Sequence, residues 1–206
     1  MSGLTNRSEY LAATEVVDWE HAEVRALADE LARGESDSAV VARKCFECVR
    51  DEIQHCMDFG REELTCRASD VLRHGTGFCY AKSHLLAALL RANGIPAGFC
   101  YQRLSIDGFA PPFCLHGLNA VWLDGVGWYR IDARGNKLGV DARFSPPAER
   151  LAFPIAMVGE WELPGVFAEP LSEVVDALRR YETVSEMVKN LPDVALEEFQ
   201  MFVDRN

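Results

Sequence analysis

Cys79 stands directly after Gly75-Thr76-Gly77-Phe78 and opens a run rich in helix formers, Tyr80-Ala81-Lys82-Ser83-His84-Leu85-Leu86-Ala87-Ala88-Leu89-Leu90. A sulfur at that position faces the positive end of a helix dipole and unpaired backbone N–H groups, a setting that favours thiolate over thiol. The same N–H groups, that of Cys79 included, suit a developing oxyanion. A thiolate nucleophile works best with an imidazole beside it, and the imidazole with a third group to orient it. His116 begins one strand-like segment and Asp132 lies near the end of the next, so neighbouring strands would bring the two together. The chemistry this implies is attack on a carbonyl by Cys79, with His116 as base and acid and Asp132 holding the ring.

A second oxyanion donor should come from a side chain outside the Cys79 helix, and Gln54 is the amide placed to serve. Phe78, next to the thiol, and Phe113, just before the histidine, are further candidates for substrate contact. Phe113 belongs to an apolar loop with Phe109, Pro111 and Pro112. That loop forms a lid or substrate wall if it faces out and core if it faces in, and the pattern leaves both open. His21, His55 and His84 read as surface or structurally satisfied residues, whereas the loop position of His74 allows it to line the cleft. Cys45, Cys48, Cys56, Cys66, Cys100 and Cys114 read as small core residues. Cys45-x2-Cys48 with His55 and Cys56 mimics zinc spacing, but it lies within an amphipathic helix without knuckle glycines or a second spaced pair. No metal and no cofactor are expected.

These residues need elements to hold them. Thr14 to Arg33 has helical apolar spacing ending at Gly34, and Ser36-Asp37-Ser38 can cap a second helix that runs to about Ile53. Ala68 to Gly77 reads as a short connection in which Ser69 or Asp70 caps one turn. The Cys79 helix stops at Asn93-Gly94 before Pro96. Strand periodicity follows over Ala97 to Ile106, then over His116 to Leu123 and Trp128 to Ala133 around the turn Asp124-Gly125-Val126-Gly127. Beyond Arg134, Ser145-Pro146-Pro147, Phe153-Pro154 and Leu163-Pro164-Gly165 break regular structure, and Pro170 to Tyr181 and Val184 to Lys189 form closing helices. The expected fold is α+β: one domain over 1–206 with a core at about 45–135, N-terminal helices in 14–53 and a wrapping segment 136–206.

The segments around the three candidate residues resemble the transglutaminase-like superfamily. Gly75 to Lys82 with Leu85 to Ala97 is similar to its nucleophile segment, His116-Gly117-Leu118-Asn119-Ala120-Val121-Trp122-Leu123 and Gly127-Trp128-Tyr129-Arg130-Ile131-Asp132 to its His and Asp strands, and Phe46 to Ile53 to its preceding helix. Cysteine, histidine and aspartate occur in the family's order, over about Cys45 to Asp132. The resemblance implies a papain-like fold in which a helix bearing Cys79 packs on an antiparallel sheet bearing His116 and Asp132. It also implies thioester chemistry, in which an amide carbonyl is attacked, His116 protonates the leaving amine, and an amine or water takes the acyl group. Family members include cross-linking transferases, amide hydrolases, peptidases and inactive proteins, so the same triad leaves a cysteine peptidase or a non-catalytic protein-binding domain as alternatives. The loop Asp107 to Leu115 matches no substrate class, and there is no Asp-rich calcium loop.

Composition narrows the partners. With 49% hydrophobic and 26% charged residues over 206 positions the chain has a globular make-up, and its net charge of -11 argues against nucleic acid, whose phosphates need clustered Lys and Arg. A peptide or protein amide, with an amine acceptor in the transferase case, is the expected partner. No secretory signal and no long apolar run is present in the sequence, so a cytoplasmic protein with seven reduced cysteines is expected, without a membrane partner.

Side chains alternate faces along a strand, so His116 and Asp132 share a face only if the hairpin between them has the right parity. A two-residue turn at Gly125-Val126 would set Asn119 opposite Asp132 and turn His116 away. The triad therefore requires an odd connection, three or five residues centred on Gly125, or a bulge, with Leu118 opposite Asp132. The thiolate argument carries its own expectation: iodoacetamide at low concentration and neutral pH labels Cys79 ahead of the other six thiols. Peptide mapping that found several cysteines equally labelled would contradict it.

Overall fold

The structure, a computed structural model, describes residues 7–194. A 3-10 turn at Ser8–Leu11 leads to helices α1 (Ala22–Ala32) and α2 (Ser38–Glu52). A two-residue strand β1 (Gln54–His55), a single helical turn α3 (Cys56–Phe59), helix α4 (Ala68–His74) and strand β2 (Thr76–Gly77) lead into α5 (Cys79–Ala92). The sheet strands β3 (Ala97–Ser105), β4 (Phe113–Leu123) and β5 (Gly127–Ile131) follow. After an irregular stretch come β6 (Trp161–Glu162), α6 (Ser172–Arg180) and α7 (Val184–Met187).

The main sheet has the order β5-β4-β3-β6 and is antiparallel throughout, while β1 and β2 form a separate parallel pair. Helix α5 is buried along all 14 residues, as expected of a helix that is apolar on every side. Its few polar side chains are spent on neighbouring main chain. His84 Nδ1 lies 2.7 Å from the Cys66 carbonyl, Lys82 Nζ donates to the Ile53 carbonyl, and Arg91 donates to the carbonyls of Ala97, Ala12 and Ala168. Toward the sheet, Tyr80 Oη donates to Leu115 O at 2.5 Å and Asn119 Nδ2 to Ser83 O at 3.0 Å. Leu115, Asn119 and Val121 thus belong to the face of β4 turned to α5, while Leu118 and Ala120 pack on the other, against Leu151 and Val166 of the returning chain.

The hairpin parity follows the required pattern. Leu123 pairs with Gly127 and Asn119 with Ile131, so three residues, Asp124, Gly125 and Val126, make the connection. Gly125 and Gly127 take positive φ, 78° and 94°, which glycine adopts without the Cβ penalty. Extending the register by one pair sets Leu118 across from Asp132, but β5 stops at Ile131 rather than Ala133. The reason is local: Asp132 Oδ1 accepts from Arg134 N at 3.1 Å, an aspartate turn that bends the chain out of the ladder.

Other expectations are corrected. The stretch 14–21 is not helical; Thr14 Oγ1 accepts from Val17 N, and Asp18 accepts from both Ser69 N and Ser69 Oγ, so its polar groups serve turns and tertiary links. Ser69 and Asp70 do not cap α4, which starts at Ala68 and runs to His74 as a full helix. Thr76–Gly77 is a strand and not a loop, and β6 lies within the breaker-rich segment, paired to β3 through Gln102 and Arg103. Asp37 does cap α2, accepting from Ala39 N at 2.8 Å. Among the described residues no helix is long and apolar enough to cross a membrane.

Gly117 marks the closest approach of α5 to the sheet: a Cβ there would sit 2.9 Å from Tyr80 Cδ1. The Tyr80 ring is pinned by its bond to Leu115 O and has little room to retreat. Gly117→Ala should therefore lower stability by about 1–3 kcal/mol, the range for overpacking a filled interior. Urea unfolding is the check, with a lower midpoint at unchanged slope as the expected result.

Candidate active site

Three segments converge on one carboxylate. Asp132 Oδ2 accepts from His116 Nε2 at 2.8 Å and from Ala152 N at 3.1 Å, while Oδ1 takes the Arg134 N–H. Asp132 is 1% exposed. Burial alone would raise its carboxyl, but the His116 charge and these hydrogen bonds outweigh it and hold the group below the usual carboxylate range. The ion stays ionised because each oxygen has an N–H to replace water.

His116 is buried beside it. Burial opposes charge on the ring, yet the Asp132 carboxylate first and Cys79 second overcome it, and the imidazole is pushed up. A carboxylate only accepts, so Nε2 carries a proton toward Asp132 and Nδ1 is left for the side of Cys79, whose charge helps push the imidazole up. The Phe153 ring meets the imidazole edge-on, centroids 5.1 Å apart, and closes it from the side of the returning chain.

Cys79 is the first residue of α5, with Phe78 as the N-cap in extended conformation. It lies at the floor of a cleft of about 530 Å³, together with His116, Phe78, His55, Leu104 and Phe153. Cys56 and Cys114 flank it. Burial, then the charge of Cys79, pushes both of these thiols up to about 12.

The other expected site residues separate. Phe78 lines the cleft, its ring 5.3 Å from His55 and 5.0 Å from Tyr80. Gln54 does not: its Oε1 accepts from Arg61 Nη1 at 3.1 Å, and its main chain pairs with Gly75 and Thr76. His74 ends α4 at the surface, away from the cleft. Phe113 opens β4 with its ring under the Arg103 guanidinium, 3.9 Å from the centroid, and packs toward Gly159 rather than the cleft; Phe109 is 84% exposed.

Four contributors escaped the sequence reading. The Ala152 N–H and the Phe153 ring come from the segment that merely seemed to wrap the domain. Arg134, 7% exposed, binds Asp58 with both terminal nitrogens, and Lys137 Nζ binds the same carboxylate at 2.6 Å. His55 is 5% exposed and faces the cleft instead of solvent. The one available signal was Arg134 two residues beyond Asp132. Among the described residues no group of three or more His, Cys, Asp or Glu could hold a metal ion.

A known structure shares this architecture. A candidate cysteine protease from Cytophaga hutchinsonii is 19% identical and matches with a TM-score of 0.50 over 65% of this chain and 43% of its own. The periplasmic domain of TgpA from Pseudomonas aeruginosa is 22% identical, with a TM-score of 0.48 over 62% of this chain and 46% of that one. The chain thus spans less than half the length of either. A comparison with curated proteins gives no match. The family model of the transglutaminase-like superfamily matches residues 25–133, from α1 through the His–Asp hairpin. With that match and an α+β papain-like core, the chain belongs to the transglutaminase-like superfamily, a cysteine-dependent catalytic fold.

Proposed function

We propose that the protein is a thiol-dependent amide acyltransferase or hydrolase working through a thioester on Cys79, with a peptide or protein amide as acyl donor. The observation that carries this reading is the buried 2.8 Å bond from His116 Nε2 to Asp132 Oδ2, with Cys79 in the same cleft and acting on the same ring. That arrangement has the three roles of a nucleophile, a proton carrier and an orienting carboxylate in order.

In the first half-reaction the Cys79 sulfur forms a bond to the amide carbon and the carbonyl electron pair moves to oxygen. Collapse of this intermediate breaks the C–N bond, and the imidazolium gives its Nδ1 proton to the leaving amine. His116, now neutral, takes a proton from water or an incoming amine as that nucleophile attacks the thioester, and expulsion of the thiolate restores the ion pair. Asp132 keeps its charge throughout and stabilises the imidazolium of the resting ion pair and of each half-reaction. The apolar walls at Phe78, Leu104 and Phe153 shield the ring from water. All seven cysteines are free, which suits a reducing compartment such as the cytoplasm.

The six other thiols all have their ionisation opposed by burial first. Covalent chemistry should therefore concentrate at Cys79. Incubation with Gln-containing peptide libraries and intact-protein mass spectrometry tests the central step: an acyl adduct at Cys79, or a deamidated product, is expected, and neither should form with Cys79→Ala.

His116→Ala should abolish turnover of a substrate found in that way, whereas Asp132→Asn should leave a residual rate roughly 10²–10⁴-fold below wild type, because orientation is damaged while the base remains. The pH profile has a sign. The imidazole is held above its ordinary value by Asp132, so its proton is retained below neutrality and lost only on the alkaline side. In Asp132→Asn burial is no longer overcome, and the alkaline limb of kcat/KM should move to lower pH. An unmoved limb would place the titrating group elsewhere.

A further inference from the structure

The cleft holds a second imidazole that the mechanism above does not use. The pairs Gln54↔Thr76 and His55↔Gly77 lay β1 alongside the strand that runs through Phe78 into Cys79. His55 is therefore carried beside the start of α5, with its ring against Phe78 and its surface on the same cleft as Cys79 and His116. Lys82, one turn along α5 from Cys79, fastens this arrangement by donating to the carbonyl of Ile53, the residue just before β1.

His55 makes no hydrogen bond from its ring among the described residues. Its Nδ1 is sealed from solvent and unpaired. Asp58 Oδ2 stands 4.0 Å from Nδ1, beyond hydrogen-bond reach, and that carboxylate already binds Arg134 and Lys137. A buried polar group left unpaired costs about 1–3 kcal/mol, so such groups are rare in folded proteins. Sealed as it is, Nδ1 cannot reach a substrate, so the nitrogen the ring can offer to the cleft is Nε2; the base for Cys79 is already supplied by His116, which leaves the oxygen of the substrate carbonyl as the acceptor an Nε2–H can meet.

We infer that the Nε2–H of His55 is the side-chain donor to the oxyanion formed when Cys79 attacks a carbonyl, complementing the main-chain N–H of Cys79. This rests on the acyl-transfer reading above and replaces Gln54, whose amide is turned away to Arg61. Burial first, then the Arg134 charge, pushes His55 down to about 3, with Asp58 opposing and Lys82 and His116 adding to the fall. The ring is neutral at physiological pH. A neutral imidazole donates a hydrogen bond to an oxyanion without surrendering its proton, which keeps the proton transfers on His116. As the sulfur–carbon bond forms, the carbonyl pair moves to oxygen and is met by the two N–H groups. As the intermediate collapses, the pair returns, the amine departs with the His116 proton, and His55 is unchanged.

Two electrophiles separate this role from general support of the thiol. Iodoacetamide is displaced at a saturated carbon and forms no oxyanion, whereas p-nitrophenyl acetate passes through a tetrahedral oxyanion on its way to the same sulfur. Rates at Cys79 are read by mass spectrometry of the intact protein and its peptides. In His55→Phe, acylation should fall roughly 10²–10³-fold while alkylation stays within about twofold of wild type, as removal of an oxyanion donor predicts. His55→Gln, polar, of similar volume and still an N–H donor, should recover part of the acylation rate, and it keeps the test open if phenylalanine disturbs folding. Unchanged acylation in both variants would overturn the assignment, as would acylation and alkylation falling by the same factor. A wild-type Cys79 inert to both reagents would instead refute the acyl-transfer reading itself.

Discussion

The carboxylate of Asp132 organises the structure. An isolated charge taken out of water carries a penalty of several kcal/mol that only close partners can offset. The partners come from three places in the chain: the His116 ring on β4, the Arg134 N–H in the turn that follows, and the Ala152 N–H from the returning segment. Each depends on a different piece of folding. The ring requires the three-residue hairpin, the turn requires β5 to stop at Ile131, and Ala152 requires the breaker-rich chain to double back under the sheet. Burying this one ion thus couples the geometry of the site to the closure of the fold.

A second set of constraints runs through α5. A helix surrounded on all sides has no solvent face on which to leave polar groups, so its long polar side chains turn to neighbouring main chain. Lys82 reaches the end of α2 at Ile53, His84 reaches Cys66 before α4, and Arg91 ties Ala97 of β3 to Ala12 ahead of α1 and Ala168 ahead of α6. Those bonds hold the elements around Cys79 at fixed distances. They also explain a buried arginine without a carboxylate: three carbonyls take its place.

How far the sequence could be read follows from the range of the interactions involved. Helix α5, the β3–β5 order and the parity of the hairpin were legible because each rests on near neighbours: helix formers ended by Asn93-Gly94, alternation along strands, and glycines at 125 and 127. Cys79, His116 and Asp132 stand at the marked points of those elements. What was not legible depends on contacts between distant segments. The apolar spacing over Val16, Val17 and Trp19 imitates a helix, but Val16 O is taken by Ala68 N and Asp18 by Ser69, bonds no local pattern announces. Gln54 and His55 were misjudged together, since a two-residue strand has no period to read and its alternation sends the amide to Arg61 and the imidazole to the cleft. Phe153 looked like part of a linker because its partner, His116, lies across the sheet face.

The two histidines of the cleft show how one side-chain type is divided between opposite states. Both are buried, and burial by itself would deprive both of charge. His116 has a carboxylate in direct contact, and that interaction exceeds the desolvation, so the ring keeps its proton. His55 has the nearby Asp58 carboxylate at 4.0 Å, already neutralised by Arg134 and Lys137, and the Arg134 charge acts with burial rather than against it. Arg134 therefore works in two directions from one position: its main-chain N–H steadies the Asp132 anion that charges His116, while its guanidinium consumes the anion that would otherwise charge His55. Pairs of titratable groups driven apart in this way mark the sites where proton transfer and neutral hydrogen-bond donation are kept on separate residues. A substitution at Arg134 would remove only the guanidinium and so free Asp58 to act on His55, while the main-chain N–H that serves Asp132 stays in place.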